Sequence, residues 1–197
     1  AALLMSATRG MLRSLAEAAC TPGEVLTKLN RLMVADFPSG RFVTMIYGVL
    51  DPAKRMLTFA NAGHLPPLLV SPPAAKAASG AGLSGTTEAV PSQSQDGGQA
   101  LSSFVPTESG LPLGLSAAVV FSESTVELPP GARLAFYSDG ITEAENGDQD
   151  EYGSMRLEQH FAGPQASVES ILEDVRSFAA PLPLRDDATV IVVKASA

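Results

Sequence analysis

Residues 134–140 read Leu134-Ala135-Phe136-Tyr137-Ser138-Asp139-Gly140, and residues 185–193 read Arg185-Asp186-Asp187-Ala188-Thr189-Val190-Ile191-Val192-Val193. Each joins an apolar run of strand length to a short acidic turn, the acid following the run in the first case and preceding it in the second. A buried strand that ends in a carboxylate and another that starts from one can bring both acids to the same sheet edge, where converging negative charge suits a divalent cation. The two stretches together read as half of a metal site. Alone each is weak. Asp-Gly is a common turn pair, and two acids before a strand also read as a solvated loop with Arg185 as counterion.

The segments around them alternate helical and strand patterns. Leu3, Leu4, Ala7, Met11, Leu15 and Ala18 recur at helical spacing, with Arg9, Arg13 and Glu17 off the stripe, which predicts an amphipathic helix from residue 1 to about 19. Thr21-Pro22-Gly23-Glu24 predicts a second helix start: a Thr cap, a Pro in the first turn and a Glu three residues after the cap. Val25, Leu29, Leu32 and Met33 carry that helix to Pro38-Ser39-Gly40. Phe42 to Leu50 and Met56 to Ala60, joined by Asp51-Pro52-Ala53-Lys54, predict a hairpin. After Asn61-Ala62-Gly63-His64, Leu65 to Val70 predicts a short strand whose prolines suit an edge or a bulge.

Val119 to Leu128, the turn Pro129-Pro130-Gly131 and Arg133 to Tyr137 predict a second hairpin, and Glu143 to Tyr152 a polar loop. Met155 to Phe161 and Val168 to Ala180 predict helices, the latter with Ile171, Leu172, Val175 and Phe178 on its apolar side, before a last strand from Thr189 to Val193. Hairpins flanked by helix pairs argue for an α+β layered fold rather than a parallel βαβ one.

The length, 197 residues with 45% hydrophobic, suits one domain with a sizeable core. From Ser71 to about Ser103 the composition turns to Ala, Gly, Ser, Pro, Thr and Gln, which predicts a flexible low-complexity insertion at about 71–103. A net charge of -8 argues against a nucleic-acid groove or an anionic membrane surface, both of which need clustered Lys and Arg. The single cysteine, Cys20, excludes an internal disulfide and a Cys-rich zinc site; it reads as a small buried thiol in a chain of the reducing cytoplasm. The chain starts at Ala1 inside a helical pattern with no cap residue before it, which predicts sequence upstream.

A metal-activated water can attack phosphorus without a Ser or Cys nucleophile. The chain has no Gly-x-Ser-x-Gly turn and no phosphate-binding Gly-rich loop ending in Lys. Asp148-Gln149-Asp150 lies in a polar stretch rather than at a strand end, so it fails the requirement for an aspartyl nucleophile of the haloacid dehalogenase type. His64, at the turn into the Pro-rich strand, reads either as a structural hydrogen-bonding residue or as an active-site participant. His160 reads as a surface or helix-terminus residue.

Five segments in order carry a family resemblance: Ala1-Ala2-Leu3-Leu4-Met5, Phe59-Ala60-Asn61-Ala62-Gly63-His64-Leu65-Pro66-Pro67, Leu111-Pro112-Leu113-Gly114, Phe136-Tyr137-Ser138-Asp139-Gly140-Ile141-Thr142-Glu143-Ala144 and Asp186-Asp187-Ala188-Thr189. The chain resembles the bacterial metal-dependent serine/threonine phosphatases of the PP2C-like type represented by SpoIIE and RsbU. The resemblance implies an α/β/β/α sandwich of two antiparallel sheets with a two-metal site for Mn²⁺ or Mg²⁺. It implies Asp139 and Asp186 as metal ligands, and Asp187 and Gly140 in auxiliary positions. It further implies hydrolysis of phosphoserine or phosphothreonine on a phosphoprotein, which in well-known members is an anti-sigma-factor antagonist in a partner-switching pathway. An upstream sensor domain belongs to the same picture.

Family members usually carry an Asp-x-x-Gly-x-Gly motif just before the segment matching Ala1-Ala2-Leu3-Leu4-Met5, and this chain has none. The departure implies a single phosphatase domain over 1–197 whose N-terminal strands are missing, with weak or absent catalysis and weak metal affinity for want of the bridging ligand. The alternative is a pseudophosphatase or partner-binding module that keeps the sandwich without a complete two-metal site.

Overall fold

Thr21 starts the helix that organises the first half of the molecule: its side chain accepts a hydrogen bond from the Glu24 amide, and Pro22 occupies the first turn. In the computed structural model, which describes residues 2–18, 21–38, 40–72, 100–108 and 110–196, this is helix α2 (Pro22–Asp36), preceded by α1 (Ala2–Ala16). The strands β1 (Met45–Asp51), β2 (Met56–Ala62), β3 (Leu68–Ser71), β4 (Leu101–Phe104), β5 (Glu123–Glu127) and β6 (Arg133–Tyr137) follow. The short helix α3 (Asp139–Thr142), α4 (Gly153–Ala162), α5 (Val168–Ala179) and β7 (Val190–Lys194) complete the order. The fold is mixed α+β with two antiparallel sheets, of strand order β1-β2-β5 and β4-β3-β6-β7. Cys20 and residues 73–99 of the expected insertion lie outside the described residues. No helix among the described residues is long and apolar enough to cross a membrane.

The chain divides into two compact units. In the unit of Ala1–Pro66 and Val105–Glu127, Leu26, Leu29 and Met33 of α2 pack with Ala60, Ala62, Leu113 and Phe121, and Leu4, Met11, Leu12 and Leu15 of α1 lie against that cluster. The predicted hairpin forms as β1 and β2, with Met45 opposite Ala62 and Asp51 opposite Met56. Its turn is closed by Asp51, whose Oδ1 accepts from the amides of Ala53 and Lys54. Two boundaries are narrower than predicted, because the backbone finds other partners. Val43 exchanges both backbone bonds with Leu113, so β1 starts at Met45 rather than at Phe42. The Phe121 amide donates to Thr27 Oγ1, so β5 starts at Glu123 rather than at Val119.

In the unit of Pro67–Phe104 and Leu128–Ala197, β3 is interior, paired with β4 on one side and β6 on the other. This corrects the edge placement expected from its prolines. Pro66 and Pro67 precede the ladder, which begins at Leu68, so no missing N–H interrupts it. The second predicted hairpin does not form: β5 pairs with β2 and β6 with β3 and β7. Pro129 and Pro130 have no amide to offer across the turn, and the Gly131 amide donates to Ala195 O while the Ala195 amide donates to Ala132 O.

The insertion is also shorter at its described ends than 71–103. Ser71 belongs to β3 and Leu101, Ser102 and Ser103 to β4, because backbone pairing to β3 builds a strand without large side chains. Ser102 Oγ donates to Glu158 of α4, which packs on β3 and β4. Helix α5 opens with a reciprocal cap between Ser167 and Ser170 and buries Ile171, Val175 and Ala179, whereas the predicted Leu172 and Phe178 stay partly exposed.

Candidate metal centre

The antiparallel register of β6 and β7 sets Leu134 opposite Val193, Ala135 opposite Val192 and Tyr137 opposite Val190. The end of β6 and the start of β7 therefore share one edge, and the two acidic turns that leave them lie side by side. Beyond the last paired residues the Ser138 amide donates to Thr189 O. The Ser138 hydroxyl then donates to Asp187 O at 2.9 Å and accepts from the Thr189 amide at 2.9 Å.

The stretch Ser138-Asp139-Gly140 is more than a turn, since Asp139 begins α3 with Ser138 as its extended N-cap residue. Gly140 is buried directly against the other acidic loop: a Cβ there would stand 2.6 Å from Asp187 O. Only glycine allows this close approach.

Asp139, Asp186 and Asp187 are all exposed. Asp139 Oδ1 accepts from the Gly140 amide at 2.9 Å, and Asp186 Oδ1 accepts from the Asp187 amide at 2.7 Å. The second oxygen of each accepts no hydrogen bond among the described residues. Arg185 is not their counterion, because its guanidinium pairs with Glu145, in the loop that follows α3. Oxygen donors of this kind suit a hard cation such as Mg²⁺ or Mn²⁺. They fit it in chemistry but not in number: among the described residues no group of three or more His, Cys, Asp or Glu stands close enough to hold a metal ion. Burial changes abruptly along this chain segment, since Tyr137 is 4% exposed and its hydroxyl is pushed up to about 12 by desolvation, two residues before the exposed Asp139.

The other singled-out residues lie elsewhere. In the first unit His64 takes part in a closed turn through its backbone: its amide donates to Asn61 Oδ1 and its carbonyl accepts from Asn61 Nδ2. Its ring Nδ1 is buried and has no partner among the described residues, so the hydrogen bonds that close this turn are made by the Asn61 side chain. His160, in the last turn of α4, is partly buried and ties α4 to α5, with Nε2 3.0 Å from Ser170 Oγ and Nδ1 3.4 Å from Asp174 Oδ2. Asp148 and Asp150 lie in the loop after α3, where Asn146 Oδ1 accepts from both of their amides. Sequence reasoning did not single out Ser138 by itself or the Arg185–Glu145 pair. A Ser before Asp-Gly ordinarily signals a helix cap, and nothing local shows that its hydroxyl turns to a loop 49 residues away.

Comparison with known proteins supplies the remaining findings. The profile of the family Stage II sporulation protein E (SpoIIE) matches residues 1–196. Phosphoserine phosphatase RsbU of Bacillus subtilis (strain 168) is 28% identical over 199 residues, covering 98% of this chain and 51% of the relative. The chain thus spans about half the length of that curated relative. Among solved structures, the RsbU and RsbW domains of a Mycobacterium tuberculosis protein superimpose with a TM-score of 0.69 at 22% identity, over 98% of this chain and 48% of that one. The phosphatase domain of the cell fate determinant SpoIIE from Bacillus subtilis, presoaked with Mn, superimposes with a TM-score of 0.55 at 14% identity, over 96% of this chain and 73% of that one. At these identities the superpositions speak for the fold.

Proposed function

The chain belongs to the SpoIIE family, and from that premise we propose that it carries the metal-binding edge of a PP2C-like protein phosphatase acting on phosphoserine or phosphothreonine. The observation that carries the reading is the β6–β7 register, which brings Asp139 and the Asp186–Asp187 loop to one edge with no protein cation paired to them among the described residues. A bound divalent cation supplies a water of lowered pKa and offsets charge on the phosphoryl oxygens. Asp139 and Asp186 would hold the ion through their exposed carboxylates. Gly140 lets the backbone of the acidic loop close against α3, and Asp187 contributes its carbonyl to that packing, in keeping with an auxiliary place.

The Mn-presoaked SpoIIE relative supports Mn²⁺ or Mg²⁺ as the cofactor. The names RsbU and RsbW support partner-switching signalling, with a phosphoprotein such as an anti-sigma-factor antagonist as substrate and the cytoplasm as compartment. The direct test is phosphate release from a phosphoserine-bearing protein with Mn²⁺ and with chelator. Release that depends on Mn²⁺, and that falls in Asp139→Asn and Asp186→Asn by at least the ~10–100-fold typical of losing an outer metal partner, supports the reading. Equal release from wild type and both variants sinks it. A chain that, with an Asp-x-x-Gly-x-Gly segment supplied upstream, binds the phosphoprotein but releases no phosphate supports the partner-binding module instead.

A further inference from the structure

Three side chains on the helices α4 and α5 stand in an order that the acidic edge does not use. His160, in the last turn of α4, has Nε2 3.0 Å from Ser170 Oγ and Nδ1 3.4 Å from Asp174 Oδ2, both on α5. Ser170 and Asp174 lie one helical turn apart on the same face, so a single imidazole reaches both. Asp174 is held from behind: the buried Tyr152 donates its hydroxyl to the same Oδ2, and its ring packs edge-on against Phe178 with 5.5 Å between centroids.

The proton positions follow from what each group can do. An ionised carboxylate only accepts, so Asp174 favours the imidazole tautomer that carries its proton on Nδ1. Nε2 is then bare and takes the bond from the Ser170 hydroxyl. That hydroxyl has a second acceptor, Ser167 O at 3.1 Å, for the state in which His160 is protonated on both nitrogens. The Ser167 amide donates to Ser170 Oγ at 2.9 Å, and Ser170 sits in the first turn of α5; both place positive charge beside the oxygen and favour its deprotonated form. Ser170 is partly buried, and the His160 and Asp174 side chains are 27% and 46% exposed, so the group is open to a reagent in solution.

We propose that Ser170 is an activated nucleophile, a covalent site for activated carboxylic esters separate from the acidic edge. Ser170 Oγ bonds to the acyl carbon and His160 Nε2 takes the hydroxyl proton. The C–O bond of the ester then breaks, and the leaving alcohol or phenol receives that proton from His160. Asp174 is a positioning residue, which holds Nδ1–H and touches no reagent. No sequence motif marks the site, because the packing of two helices assembles it and such groups are recognised by geometry.

The test is labelling of the 197-residue chain with a fluorophosphonate, whose tetrahedral phosphorus mimics the acyl carbon under attack, followed by peptide mapping. Oγ bonds to phosphorus and fluoride leaves. Ser154 of α4 and Ser177 of α5, exposed serines on the same two helices, are internal references. Ser170 should label about 100-fold faster than either, the low end of what a positioned general base contributes. Labelling at the rate of Ser154 and Ser177 overturns the proposal. His160→Ala leaves the Ser167–Ser170 cap in place and should remove the advantage, and added imidazole should restore part of it. An unchanged rate in that variant, or a slow one that imidazole does not raise, overturns the proposal, since a purely structural tie between the helices does not respond to imidazole. Asp174→Asn should slow Ser170 alone by about 10–100-fold, as loss of an orienting carboxylate does. A wild-type rate there overturns the positioning role of Asp174.

Discussion

The turn that Asn61 closes at the end of β2 in one unit and the turns at Asp139 and Asp186 in the other are made of similar materials, a small polar residue at or near a strand end with a glycine close by. They end in opposite conditions. Asn61 is 2% exposed and fully employed: its Oδ1 accepts from the His64 amide, and its Nδ2 donates to His64 O and to Thr107 Oγ1. Gly63 completes that turn at φ +70°, with Pro112 packed where a side chain would start. Asp139 and Asp186 are exposed, and each spends one oxygen on the next amide. The difference follows from donor chemistry. An amide offers both donors and an acceptor, so it can satisfy an N–H and a C=O at once and close on the backbone. A carboxylate only accepts, and beside a carbonyl-rich loop it is left with lone pairs for something positive.

Exchanging the two chemistries is the strongest way to break this comparison. Asn61→Asp sets a carboxylate against His64 O and the Thr107 hydroxyl in a buried site and removes both donors, so unfolding in urea should show a loss of about 3 kcal/mol. A loss below about 0.5 kcal/mol would mean that the turn does not depend on the amide. Gly140→Ala presses a Cβ onto Asp187 O and should cost about 1–3 kcal/mol, with the Asp187 and Thr189 amides shifting most in the spectrum. An unshifted loop would show that the close approach is not required.

Alkaline pH reports on the sudden change of burial just before the open turn. The Tyr137 hydroxyl is pushed up to about 12 in the folded chain, above its ordinary value of 10.0, so the folded state holds that proton more tightly. Its stabilisation is complete below pH ~10 and is lost as pH rises through about 12, with Tyr152, also raised, acting in the same direction. The urea midpoint should fall over this range, and less steeply in Tyr137→Phe; equal slopes would show that Tyr137 is not the titrating group. Smallest of all are changes at the open turns themselves. Asp139→Asn, and Arg185→Ala, which breaks an exposed ion pair with Glu145, should each alter stability by no more than about 0.5 kcal/mol. A larger loss in Asp139→Asn would place that carboxylate among the structural groups with Asn61.

Much of this architecture was legible one segment at a time. The Thr21 cap, the hairpin closed by Asp51 and the two apolar runs that bear acids all rest on contacts within a few residues and stand where the periodicity and cap chemistry place them, as do Val25, Leu29 and Met33 on the buried face of α2, whereas Leu32 is exposed. The meeting of Asp139 with the Asp186 loop was inferable because an antiparallel pair necessarily brings the end of one strand to the start of the other. Less was legible where backbone partners come from far along the chain. β4 arises in a polar stretch because β3 has an unpaired side to offer, and β5 and β6 separate into different sheets although only a Pro-Pro-Gly turn parts them.

By itself, then, the sequence determined the longer helices and the apolar strands, which turns carry acids, and which family those motifs resemble, but not β4 or α3. Only the tertiary structure decided that β3 is interior, that Asn61 rather than the His64 ring closes its turn, and that the Ser138 hydroxyl leaves its own helix for the loop at Asp187. The physical reason is one of range. Periodicity and capping are settled by neighbours in the chain, whereas each remaining donor and acceptor is settled by whichever distant group the folded backbone brings within about 3 Å of it.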